Sequence, residues 1–118
     1  MDLDRDGFLD AIVGDQVHPP RIWRARCDDS AWLTVHLAQP APNSDAIGAR
    51  VQLVVGDRVH TRWLQSGGRS FGASHPHSLH FGLGGLDRVD RIVVTWPDGS
   101  VSAHAGVATR REVQVTRE

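Results

Sequence analysis

Along most of this chain apolar residues recur at every second position, and no other feature restricts the fold as much. In residues 32–37, Leu33, Val35 and Leu37 fall on one face, with Thr34 and His36 opposite. Val51, Leu53 and Val55 alternate in the same way, and Val59, Thr61 and Trp63 follow after Gly56-Asp57. A strand sends successive side chains to opposite faces, so period two marks strands with one buried side. Gly-Asp between two such runs signals a tight hairpin. Residues 79–83, 92–96, 101–104 and 112–116 continue the series. Within it Pro97-Asp98-Gly99 forms a turn, where proline presets φ and glycine takes the left-handed position. No window carries an apolar helical stripe longer than two turns. Roughly eight or nine short strands at this spacing predict an all-β fold, an antiparallel β-sandwich of jelly-roll or immunoglobulin-like connection. Val35, Val51, Leu53, Phe81, Val93 and Val113 are its expected core.

The 118 residues allow one modest core, and 40% apolar with 23% charged residues is a folded composition. A net charge of −1 argues against general affinity for nucleic acid or anionic membranes. All 13 basic residues are Arg. Cys27 is the one cysteine, so an internal disulfide is excluded, which suits a cytosolic protein and a bacterial secreted one equally. No apolar run approaches the roughly 18 residues that cross a bilayer, so membrane insertion is not expected. The acidic start Met1-Asp2-Leu3-Asp4 is unlike an export signal, which opens basic and continues apolar.

The most specific chemical motif is Asp2-x-Asp4-x-Asp6-Gly7-x-x-Asp10. Alternate carboxylates face into one turn of chain, Gly7 permits the reversal, and Asp10 closes the ring. Hard oxygen ligands at this density suit Ca²⁺, which takes six to eight of them. The expected ligands are Asp2, Asp4, Asp6 and Asp10 with the backbone carbonyl of Phe8. An EF-hand would place a bidentate Glu at the twelfth loop position, which here is Val13. A β-prone run, Ala11-Ile12-Val13, follows in place of a helix. It can pair with a return strand through Ile22 and Trp23, giving an N-terminal calcium-loop β-hairpin.

This loop resembles the calcium loop of FG-GAP and VCBS repeats, the blades of integrin-like propellers. From Trp32 onward the chain resembles the ASPIC/UnbV domain. The matching blocks are Trp32-Leu33-Thr34-Val35-His36-Leu37, Asn43-Ser44-Asp45-Ala46-Ile47-Gly48-Ala49-Arg50-Val51, Gln65-Ser66-Gly67-Gly68, Leu79-His80-Phe81-Gly82-Leu83-Gly84 and Val93-Val94-Thr95-Trp96-Pro97-Asp98-Gly99. They stand in the family's order and spacing. A departure follows the Ser-Gly-Gly turn, where Arg69-Ser70-Phe71-Gly72-Ala73-Ser74 replaces the family's usual aromatic and Ser-Gln. The resemblance implies a partial FG-GAP/VCBS repeat over residues 1–26 and an ASPIC/UnbV-like sandwich over 32–117. It also implies a non-catalytic binding or structural module, part of a longer secreted, extracellular protein, with a protein or carbohydrate ligand. The alternative it leaves open is an accessory or catalytic component of natural-product biosynthesis of the enediyne type. It supplies no catalytic residues.

Three further patterns have simpler explanations. His75, His77 and His80 have spacings that could hold a transition metal if the rings converged, yet surface and turn histidines are the commoner case. Ser66-Gly67-Gly68-Arg69-Ser70 lacks the lysine and following helix of a phosphate loop. Trp32 and Trp96 are expected in the core, and Trp63, alternating with Val59 and Thr61, is the candidate for an exposed aromatic platform.

Overall fold

A computed structural model describes residues 1–26, 28–67 and 76–118. Their regular structure is all strand: β1 (Ala11–Val13), β2 (Arg21–Trp23), β3 (Ala31–Ala38), β4 (Arg50–Val55), β5 (Arg58–Trp63), β6 (Ser78–Gly84), β7 (Arg88–Thr95), β8 (Val101–Ala108) and β9 (Arg111–Thr116). There is no helix among the described residues, and so none long and apolar enough to cross a membrane. Two sheets build the sandwich, one in the order β6-β3-β9 and the other in the order β5-β4-β7-β8. A separate two-stranded sheet, β1-β2, precedes them. All pairings are antiparallel except one: β3 and β9 run parallel, with Val35 opposite Val113. β9 reaches β3 only after the chain has built the other sheet, so this pair needs no tight turn.

Alternation decides what is buried. β3 reads buried on Ala31, Leu33, Val35 and Leu37 and half-buried between them. Leu33, Val35, Leu79, Phe81 and Val115 face Val51, Leu53, Ile92 and Val94 across the sandwich, all nearly inaccessible. Each such side chain contributes about 1.5–3 kcal/mol by leaving water. The expected core holds for Val35, Val51, Leu53 and Phe81. Val113 is half-buried against it. Val93 does not belong to it: it lies on the outer face, and its neighbours Ile92 and Val94 are buried instead. Pairing with β4 fixes this, because Leu53 opposes Ile92 and Val51 opposes Val94. Val94→Ala is therefore expected to lower unfolding free energy by about 1–3 kcal/mol, and Val93→Ala by less than about 1 kcal/mol. Urea midpoints of the two variants check the assignment.

The turns use the residues the sequence set there. After β7, Trp96 N–H donates to Ser100 O, and Gly99 closes the turn at φ 87°. The Asp98 carboxylate accepts from the Ser100 hydroxyl and backbone N–H and pairs with Arg117. The Ser100 contacts, with Arg117 assisting, hold its pKa down to about 2. A carboxyl NMR titration should show this, with the contribution of Asp98 to stability fully present above the unfolded carboxylate value near 3.8 and lost as pH falls through about 2. Trp96 is buried as expected, and its indole N–H donates to Ser102 Oγ at 3.0 Å.

Candidate metal centre

Residues 1–10 curl into a loop that Asp10 closes. Asp10 N–H donates to the Met1 carbonyl at 2.8 Å. The Asp10 carboxylate is buried and accepts two further backbone bonds, from Leu3 N at 2.9 Å and from Ala25 N at 2.9 Å. The first holds the start of the loop and the second holds the far arm of the β1-β2 hairpin, so one side chain ties both together. Asp2 accepts from Asp6 N and Gly7 N, which bends the loop back over its first carboxylate. Asp6 Oδ1 accepts from Phe8 N, an Asx turn that leads into Leu9. Arg5 at φ 60° and Gly7 at φ 92° supply the left-handed steps.

These bonds gather three of the expected ligands. One carboxylate oxygen each from Asp2, Asp4 and Asp10 lies within 4.8 Å of the others. Asp6 stands outside that trio. Two ligands at about 2.4 Å from one Ca²⁺ can be at most about 4.8 Å apart, so the trio fits a single calcium sphere. Three carboxylates this close repel by on the order of 3 kcal/mol per pair at an effective dielectric near 20. Arg24, just past β2, forms an ion pair with Asp4 and relieves part of that. Spacing in the loop motif gave no sign of Arg24, because it arrives from the hairpin's return arm.

Beneath the loop lies Trp32, on the outer face of β3. A Cβ built on Gly7 would sit 1.8 Å from Trp32 Cε2, so the glycine backbone rests on the indole. Trp32 is thus half-buried by the loop and not by the sandwich core, contrary to the sequence expectation. His80 of β6 stacks alongside it, with ring centroids 6.2 Å apart, and its Nδ1 meets Thr34 Oγ1 at 3.1 Å. Burial pushes the His80 imidazole below its ordinary value. Gly7, Phe8, Trp32, His80, Arg26 and Arg62 line an open groove of about 550 Å³ at this junction.

The histidine trio does not form a site on what is described. His77 pairs with Asp45 at 2.8 Å, while His80 belongs to the Trp32 stack. His75 and residues 68–74, including Gly68 of the Ser-Gly-Gly turn, lie outside the described residues. Trp63 is exposed, as its alternation indicated.

The fold defines a β-sandwich module with an acidic, oxygen-rich loop seated on one face. The chain belongs to the family described as ASPIC and UnbV, whose sequence profile matches residues 39–118. No curated protein matches the chain.

Proposed function

We propose that this chain is a non-catalytic binding or structural module of a larger FG-GAP/ASPIC-UnbV protein, with a loop at its N-terminal end that takes Ca²⁺. The convergence of the Asp2, Asp4 and Asp10 carboxylates within 4.8 Å carries the reading. Asp6 and the Phe8 carbonyl are the nearest groups in the chain to complete the sphere, with water supplying the rest. The β1-β2 hairpin supports the repeat assignment. Ile12 and Ile22 oppose each other on one face, Trp23 lies on the other, and all three are more than half exposed. A bare two-stranded sheet is marginal, and apolar residues on both faces are what a propeller blade offers its neighbours. A parent carrying such blades is the reason to place the protein outside the cell.

Calorimetric titration is the test. Ca²⁺ should bind and raise the stability of residues 1–26 by mass action, Mg²⁺ should substitute poorly, and no heat with Ca²⁺ would end the proposal. Arg24→Gln sharpens it. A bound ion must displace the Arg24 guanidinium from Asp4, and that side chain is 67% exposed, so the pair is weak. Removing it should raise Ca²⁺ affinity roughly two- to fivefold, an exposed ion pair being worth up to about 1 kcal/mol.

A further inference from the structure

The outer face of the β5-β4-β7-β8 sheet carries Arg50 and Arg91, in a chain whose net charge is −1, and the exposed Asp90 beside Arg91 accepts from Gly56 N. Register places Arg50 opposite both Trp63 and Thr95, Gln52 opposite Thr61, and Arg91 opposite Val54. The remaining paired positions of that face are Val and Ala. Trp63 is 56% exposed at the sheet's edge strand. Arg50 is half-buried and held in place: its Nη2 donates to Thr95 Oγ1 at 3.3 Å, and its Nε is buried without a partner. Elsewhere Arg24, Arg110 and Arg117 each pair with an Asp. Neither Arg50 nor Arg91 is in an ion pair among the described residues. They stand about 13 Å apart along the strand direction, four residues at roughly 3.3 Å each.

We propose that this face binds an acidic polysaccharide, a chain of uronic-acid sugars. The axial C–H face of a pyranose is apolar and packs on an exposed indole, while its rim of hydroxyls needs hydrogen-bond partners close by. Trp63 supplies the indole, and Thr61, Gln52 and Thr95 supply the partners. The sugar carboxylates pair with Arg50 and Arg91, whose planar forks suit them. Two arginines on a flat sheet are too few for a nucleic-acid backbone, which takes many phosphate contacts. The inference rests on the reading of this chain as a binding module and is independent of the calcium loop, which lies on the other sheet.

Titration of the whole chain with oligogalacturonate, in EDTA so that calcium bridging contributes nothing, tests it. Binding should appear in EDTA, which separates this surface from the metal reading. A neutral galactose oligomer should bind at least about tenfold more weakly, and Trp63→Ala and Arg91→Gln, both exposed changes, should each weaken the uronate complex about tenfold without moving the melting temperature. Arg50→Gln should weaken it at least as much. The proposal is overturned by no binding at millimolar uronate, by unchanged binding in Trp63→Ala, by equal binding of the neutral oligomer, or by equal binding of double-stranded DNA. Dimerisation in sedimentation that Trp63→Ala abolishes would also overturn it, by assigning the face to a second copy.

Discussion

Gly7→Ala is expected to weaken Ca²⁺ binding by about 100-fold or more while leaving the melting of the sandwich nearly unchanged. Two penalties combine. The added Cβ would sit 1.8 Å from Trp32 Cε2, inside contact distance, and the residue holds φ at 92°. A non-glycine residue in such a conformation costs about 1–3 kcal/mol before any clash is counted. Either the loop lifts off Trp32 or Trp32 moves, and in both cases the geometry that brings Asp2, Asp4 and Asp10 together is lost. Binding must then restore that geometry from the ion's own binding energy, which lowers apparent affinity by the competent fraction. The sandwich core uses Leu33, Val35, Phe81 and their partners, none of which the substitution touches. Calorimetry measures the affinity. Adding Trp32→Ala to Gly7→Ala should recover part of it, because the clash disappears and only the strained φ remains. Wild-type affinity in Gly7→Ala would show that the loop does not need its seat on Trp32.

Strand content was legible because β3, β4 and β9 each bury one face, and a single buried face writes itself as alternation. Val93 was not legible for the same reason. Ile92, Val93 and Val94 are all apolar and β-branched, so composition shows no alternation there, and only the pairing of Val51 with Val94 decides which side is in. The strand is also irregular at Asp90, since Val89 and Ile92 are both buried although three apart. Alternation did put Trp32 with Thr34 and His36 on the outward face. Its place at the opening of a strand argued for the core, and the loop that covers it comes from a part of the sequence where nothing hints at contact. The parallel pairing of β3 with β9 joins segments separated by the whole second sheet, and no local signal encodes that.

The candidate centre was legible as a set of residue types and not as a set of roles. The spacing Asp2, Asp4, Asp6, Asp10 treats all four carboxylates alike. The structure separates them by where their oxygens point. Asp6 turns to Phe8 N, Asp2 and Asp4 face the trio from half-buried and exposed positions, and only Asp10 is buried. Backbone partners as far away as Ala25 settle that division, and a side chain's hydrogen bonds to distant backbone leave no trace in motif spacing.

Asp10→Ala should therefore have the largest effect of any single change in the N-terminal region. It removes a candidate ligand, and it also strands the Leu3 and Ala25 N–H groups that Asp10 satisfies. Both bonds are only part-buried, so water replaces some of what they supply, and the two losses together cost about 1–3 kcal/mol. A two-stranded sheet with both faces exposed has little stability to set against that. Residues 1–26 should lose hydrogen-exchange protection at every calcium concentration, while β3 to β9 keep theirs. Asp10→Asn separates the two functions. The amide keeps one carbonyl oxygen to accept from Ala25 N, so part of the protection returns, but with one charge gone Ca²⁺ affinity stays low. If Asp10→Asn restored neither protection nor binding, the carboxylate's charge would be organising the loop. If it restored both, Asp10 would be a structural tie and the ion would rest on Asp2 and Asp4 alone.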